Sequence, residues 1–430
     1  MKVLLVGGGG REHALAWALA RSPECTRLRV APGSAGIGVS HELVDLAATD
    51  VPGLVRHAIA ERYDLVVIGP EAPLVAGLVD RLAEAGIAAF GPTAAAAAIE
   101  GSKVFAKRFL TRHGIPTAAY RVFGEIEAAS RYLRSSDATY PLVLKADGLA
   151  AGKGVVIAAD PSEAVASATA MLSGTAFGEA GHRVVVEELL RGREASFFVL
   201  TDGERWVELA PCQDYKRACD GDVGPNTGGM GSYSPSAFLD EATRATVLER
   251  IVAPTIRGLA AEGRSFRGVL YVGLMLTERG PLVLEYNARF GDPETQVLMP
   301  RLDGDWLPLL HACATGSLDP HPLTWSRQAA VCVVLTAGGY PGPYRTGDPI
   351  TGLERAAGLP DVHVFHAGTA LAEHGGWVTA GGRVLGVTAL GAGLEAAREA
   401  AYAAVACLAW PDLHRRGDIA ADAVAQRASA

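Results

Sequence analysis

Short β-branched runs alternating with amphipathic stretches over the first hundred residues constrain this chain more than any other feature. The runs fall at 3–6, 28–31, 43–46, 65–68 and 87–90, and helical patterns at 12–21, 53–62 and 74–85 separate them. That rhythm is βαβ and predicts a parallel sheet with helices on both faces. Loops at the carboxyl ends of such strands, here 7–10, 32–36 and 69–73, would line a ligand crevice. The full 430 residues exceed one ordinary core, so two to four packed units are expected at roughly 150 residues each.

Further along, alanine-rich 93–98 leads to Gly101-Ser102-Lys103 and a helical pattern to 113. Short strands and two helical segments over 120–200 read as a small α+β subdomain. Strand-like runs follow at 269–276 and 282–286, with a long helical stretch at 240–262. Pro320-His321-Pro322 marks a boundary. Beyond it come strand-like 330–335, 362–366 and 383–389 and a closing helix at 392–408. A net charge of −8 argues against a general nucleic-acid or membrane-surface role, which needs clustered positive charge. Six cysteines without CxxC spacing suit a reducing compartment. The apolar run 1–6 is too short for a signal peptide, and no stretch is long enough to span a bilayer, so a cytoplasmic protein is expected.

The strongest local signal is the strand, glycine-rich loop and strand at 143–157, holding Lys145, Gly152, Lys153 and Gly154. Glycines admit phosphate oxygens to backbone amides, and two lysines supply charge for a triphosphate. It is no Walker loop, because Asp147 stands where glycine is required and a strand follows instead of a helix. An ordinary glycine-rich hairpin is the alternative. A second signal is 184–190 with Glu187, Leu190 and then Glu194: backbone groups after an acidic strand end can meet adenine, and a later carboxylate can take ribose hydroxyls. Solvated glutamates would look the same.

A third signal spans 283–294. Glu285 and Asn287 share one face of a strand at period two, which pairs two hard oxygen ligands. Such a pair suits magnesium on ATP phosphates, since that ion borrows few protein oxygens. Arg289 shares the face and can clamp a carboxylate or phosphoryl group; a structural Glu285–Arg289 ion pair is the alternative. A fourth joins Gln213-Asp214-Tyr215-Lys216-Arg217 to the glycine cluster 224–233, whose amides can close over a small substrate while Asp214 holds an ammonium. At the amino end, 7–10 resembles a dinucleotide fingerprint but lacks the third glycine, and the second strand lacks its terminal acid. The loop should still bind an anion such as a sugar phosphate at a helix start. Glu71 then suits sugar hydroxyls or an amine.

Taken together, 9–14, 69–74, 101–103, 145–155, 224–231, 285–296, 337–341 and 364–369 resemble the glycinamide ribonucleotide synthetase family of purine biosynthesis across nearly the whole chain. The resemblance implies a multidomain α/β and α+β architecture: a Rossmann-like parallel-sheet substrate domain at 1–101, an ATP-grasp core at 102–325 with a mobile flap subdomain at about 120–193, and a small β-rich capping domain at 326–430. It implies that ATP, glycine and 5-phosphoribosylamine give N1-(5-phosphoribosyl)glycinamide, ADP and phosphate through glycyl phosphate. By matching positions, Lys103, Lys145, Gly152, Lys153, Gly154, Glu187, Leu190 and Glu194 would hold ATP. Glu285 and Asn287 would hold magnesium or manganese. Asp214, Arg289 and Asp292 would hold glycine, and Gly9, Gly10, Arg11 and Glu71 the phosphoribosylamine, with Arg289, Lys145, Asp214 and Asp292 nearest the chemistry. A monomer is expected, with at most weak contacts to other purine-pathway enzymes and none to nucleic acid or membrane. Two departures stand out: Ser34 replaces the usual asparagine, and Tyr215 the usual histidine. Gly8, for the usual asparagine or serine, reads as a tolerated turn change. A bicarbonate-using ATP-grasp carboxylase, a nicotinamide oxidoreductase and a non-catalytic nucleotide-binding scaffold are the rival readings.

Overall fold

The computed structural model describes residues 1–149, 154–174, 182–236 and 238–428. The first hundred residues form a parallel sheet of β1 (Lys2–Gly7), β2 (Arg27–Pro32), β3 (Glu42–Leu43), β4 (Leu65–Ile68) and β5 (Ala88–Phe90), in the order β3-β2-β1-β4-β5. Helices cover both faces, which is why β1 and β4 are apolar at nearly every position. Leu4, Val6, Val66 and Ile68 enter one core and Val3, Leu5, Leu65 and Val67 another. The helices are α1 (Gly10–Ala20), α2 (Ala35–Gly38), α3 (Val51–Glu61), α4 (Glu71–Val75), α5 (Leu78–Glu84) and α6 (Ala94–Gly101).

Two sequence expectations change here. The strand expected at 43–46 stops at Leu43, because Leu46 N donates to Val44 O in a tight turn at 2.7 Å. The helix expected over 74–85 is two, divided where Gly77 takes a φ of +83°, a left-handed geometry that glycine adopts at little cost. At Gly8, an added Cβ would lie 2.2 Å from Gly33 O, so the first two loops meet this closely only with glycine.

After α7 (Lys103–Arg112) comes a four-stranded antiparallel sheet, β6 (Tyr120–Phe123), β7 (Leu142–Ala146), β8 (Val155–Ala158) and β9 (Val184–Glu188), in the order β6-β9-β7-β8. Helices α8 (Ile126–Leu133) and α9 (Pro161–Leu172) close its own small core. A second antiparallel sheet has β10 (Arg193–Thr201) and β11 (Trp206–Glu208), and later strands complete it. Between them run β12 (Gln213–Asp214), β13 (Arg217–Cys219), β14 (Val223–Asn226) and β15 (Gly231–Ser234). The completing strands are β16 (Gly268–Thr277) and β17 (Gly280–Asn287), giving β11-β10-β16-β17. The long helical stretch expected at 240–262 is α10 (Glu241–Val247), a π-helical turn over Leu248–Val252 and α11 (Ala253–Ala261). Pro254 lacks an amide to donate, and the widened turn stands just before it.

Helices α12 (Glu294–Leu298) and α13 (Trp306–Thr315) lead to β18 (Ala329–Thr336), β19 (Pro349–Ile350), α14 (Leu353–Ala357), β20 (Val362–His366), β21 (Thr369–Leu371), β22 (Trp377–Thr379), β23 (Arg383–Gly391), α15 (Leu394–Val405) and α16 (Ala421–Ala428). A five-stranded antiparallel sheet runs β12-β15-β18-β23-β20, so strands beside the glycine-rich 224–231 segment share a sheet with the carboxyl-terminal strands. The two cores of the first sheet also continue into the second sheet, with Phe197, Val199 and Val272 in one and Phe198, Leu200 and Tyr271 in the other. Among the described residues, no helix is long and apolar enough to cross a membrane.

Candidate active site

The carboxyl ends of β1 and β4, the β6–β9 sheet, β17 and the carboxyl-terminal sheet converge on one cleft of about 1020 Å³. Lys145 and Glu285, expected on one triphosphate, both line it. The last part of β17 explains how. Gly273 faces Glu285 while Leu274 faces Val283, so Leu284 is the extra residue of a bulge. Bulges re-aim side chains beside active sites. The Leu284 carbonyl accepts from Lys145 Nζ at 3.0 Å, which ties β7 to β17. Tyr286 points into the core, where its hydroxyl meets Thr255 Oγ1 at 2.6 Å, and Glu285 and Asn287 turn to the cleft.

Charges in the cleft are paired in a definite order. Desolvation in the cleft pushes the Glu285 pKa up, but Lys216, Lys145 and Lys103 outweigh it and hold the group below the usual carboxylate range. Lys216 Nζ stands 3.1 Å from Glu194 and 3.5 Å from Glu285. Lys103 donates to Gly148 O at 2.7 Å. The Glu285–Arg289 pair is not formed; Arg289 meets Glu100 at 3.1 Å and Glu71 at 3.3 Å. Burial pushes Asp214 up, with Lys216 opposing, and Ser196 Oγ donates to it at 3.2 Å. Burial and Asp214 push Glu294 to about 7. Burial also raises Asp292, yet Arg383, Arg11, Gln296 and Arg289 together leave it below its ordinary value.

Of the residues singled out in the sequence, Arg11, Glu71, Lys103, Lys145, Gly154, Glu187 and Leu190 line the cleft, as do Glu194, Asp214, Glu285, Asn287, Arg289 and Asp292. Gly9 and Gly10 stand at its edge, where an added Cβ on either would come 3.8 Å from an Asp292 carboxylate oxygen. Gly152 and Lys153 lie outside the described residues. The anion loop has fewer open amides than its glycines suggest, because Gly9 N donates to Glu12 Oε2 at 2.7 Å. Neither family departure breaks the cleft. Tyr215 donates to Asp422 at 2.6 Å and accepts from Ala420 N at 3.0 Å, which anchors the carboxyl-terminal segment. Ser34 Oγ is buried without a hydrogen-bond partner among the described residues.

Sequence reasoning gave no role to Lys107, Lys216, Glu100, Glu294 or Arg383. Lys107 was detectable, since it follows Lys103 by one helical turn and shares its face. Arg383 carries no local signal: it reaches Asp292 at 3.0 Å from β23, across the chain.

A cleft walled by the β7–β8 hairpin, an acid–amide pair at a strand end and lysines from two directions defines an ATP-grasp ligase. Models of phosphoribosylglycinamide synthetase match the chain in succession: the N domain over residues 1–100, the ATP-grasp (A) domain over 101–295 and the C domain over 330–422. The chain belongs to the phosphoribosylglycinamide synthetase family. It is similar to the phosphoribosylamine–glycine ligases of Escherichia coli strain K12, at 52% identity over 97% of this chain and 98% of that one, and of Rhizobium meliloti, at 52% over 99% of each. The crystal structure of the Thermotoga maritima phosphoribosylamine–glycine ligase superposes with a TM-score of 0.85 at 34% identity, covering 97% of this chain and all of that one. Biotin carboxylase from Campylobacter jejuni shares the fold, with a TM-score of 0.74 at 16% identity, 96% of this chain and 92% of that one.

Proposed function

We propose that this chain joins glycine to 5-phosphoribosylamine, consuming ATP and forming ADP, phosphate and N1-(5-phosphoribosyl)glycinamide for purine biosynthesis. The observation that carries the reading is the meeting of Glu285, Asn287, Lys145 and Arg289 in one cleft of a chain half identical to ligases of that name. Glycine's carboxylate is a poor electrophile, so one of its oxygens attacks the γ-phosphoryl and ADP leaves, giving glycyl phosphate. The amine of phosphoribosylamine then forms the C–N bond as the C–O bond to phosphate breaks, and the amine gives up a proton. Arg289 faces the glycine carboxylate, Asp214 the ammonium, and Asp292 also holds the glycine. Gly9, Gly10, Arg11 and Glu71 take the phosphoribosylamine, and Lys103, Lys145, Lys153, Gly152, Gly154, Glu187, Leu190 and Glu194 take ATP. Positioning and charge suffice, with no side-chain nucleophile.

Magnesium, or manganese in its place, fits Glu285 and Asn287. Glu285 stays ionised beside a cation already drawn to it, Lys216, and hard oxygen donors suit either ion. When bound, the ion would neutralise phosphate charge. We further propose working units at 1–101, 102–325 and 326–430, supported by the extents of the family models, with a flap at about 120–193, supported by the separate small core of the β6–β9 sheet. A monomer in the cytoplasm is our reading, the compartment supported by six free thiols.

Measuring ADP release with glycine and phosphoribosylamine omitted in turn tests the reaction. Loss of turnover in each case is expected; turnover that instead requires bicarbonate would contradict it.

A further inference from the structure

Lys107 is almost fully buried one turn beyond Lys103 on α7. Its ammonium stands 2.9 Å from Glu187 Oε2 and donates to Thr117 Oγ1 at 2.8 Å, and Thr117 donates to Val283 O at 2.7 Å. Lys145 Nζ meets the same Glu187 Oε2 at 3.1 Å. Glu187 Oε1 has no hydrogen-bond partner among the described residues. Two ammoniums therefore share one oxygen of one buried carboxylate, so Glu187 alone does not neutralise both.

Uncompensated charge in a low-dielectric site is costly unless an anion completes it. Lys103, Lys107 and Lys145 all reach the cleft wall, and Lys107 approaches Glu187 from α7 while Lys145 approaches it from β7. We infer that Lys107 is a positioning residue for ATP: it shares Glu187 with Lys145, so that Lys145 keeps enough unbalanced charge to hold a phosphate. Without Lys107, Glu187 turns wholly to Lys145 and neutralises it. Thr117 fixes the Lys107 ammonium and links α7 to β17, the strand that carries Glu285 and Asn287.

The inference rests on the ATP reading of the cleft, and steady-state kinetics separate the two. An enzyme with no ATP dependence would sink that reading itself. Given ATP-dependent turnover, Lys107→Met should raise the ATP KM about tenfold or more while the glycine and phosphoribosylamine KM values stay within about twofold. Lys107→Arg, which keeps the charge, should bring the ATP KM back to within about threefold of the parent. An unchanged ATP KM in Lys107→Met, or a fall in kcat with all KM values unmoved, overturns the inference. Should Lys107→Met fail to fold, Thr117→Val decides: a rise of about threefold in the ATP KM supports it, and no rise overturns it.

Discussion

Burial lowers the Lys107 pKa to about 8, with Glu187 opposing the fall and Lys145 adding to it. The groups facing this ammonium are Glu187, Glu188 and Lys145, the Thr117 hydroxyl, and the Tyr120 ring at 5.7 Å. As pH rises through 8 the ammonium is lost, so the ATP KM should climb between about pH 7.5 and 9 in the parent and stay flat in Lys107→Arg. The stability effect has the other sign. A folded pKa below the unfolded value means the unfolded chain binds more protons between about pH 8 and 10.5, so this group's contribution to stability grows with pH there. Opposite trends in ATP affinity and stability are the mark of this lysine. At β17, Glu285→Gln with Asn287→Ala should abolish turnover and leave the circular-dichroism spectrum unchanged; normal turnover would remove the pair from metal binding. Both residues were legible in the sequence because strand geometry puts alternate side chains on one face. The partners of Arg289 were not, since Glu71 and Glu100 come from other elements and no local pattern points to them.

At the level of elements, β4 and β20 match their expected bounds because apolar runs and turn residues delimit them. The misread segments share one cause: a local backbone feature overrode the pattern. Gly77 divides a helical pattern, and the turn at Val44–Leu46 ends a strand. Glycine geometry also yields a stability prediction. At Gly352, which begins α14, φ is +84° and an added Cβ would lie 1.8 Å from Cys407 O. Gly352→Ala should destabilise the fold by on the order of 3 kcal/mol, read as a lower urea midpoint. Substrate KM values should hold, because Gly352 is not among the residues lining the cleft.

On the scale of the molecule, two apolar cores run from the first sheet into the second. The carboxyl-terminal part also reaches the cleft. Arg383 pairs with Asp292, donates to its carbonyl at 2.8 Å, and contacts the Gly228 carbonyl. Arg383→Ala should therefore raise the glycine KM by about tenfold, roughly 1.4 kcal/mol, with the ATP KM little changed. Acid should loosen the same assembly from another side. His13 packs on Phe365 and accepts from His366 N at 2.9 Å. Burial, aided by His366 and His41, lowers its pKa to about 3. A depressed folded pKa means this contribution is full above about pH 6.5 and is lost as pH falls towards 3, costing about 2 kcal/mol by pH 5. The urea midpoint should drop over that range, and less so in His13→Asn.

The passage of glycine through glycyl phosphate can be followed by one isotope. With both carboxylate oxygens of glycine labelled as oxygen-18, mass spectrometry of the released phosphate should find one labelled oxygen per molecule and the other retained in the new amide. Phosphate without label would mean that glycine's carboxylate never attacked the γ-phosphoryl, and the acyl phosphate route would be wrong.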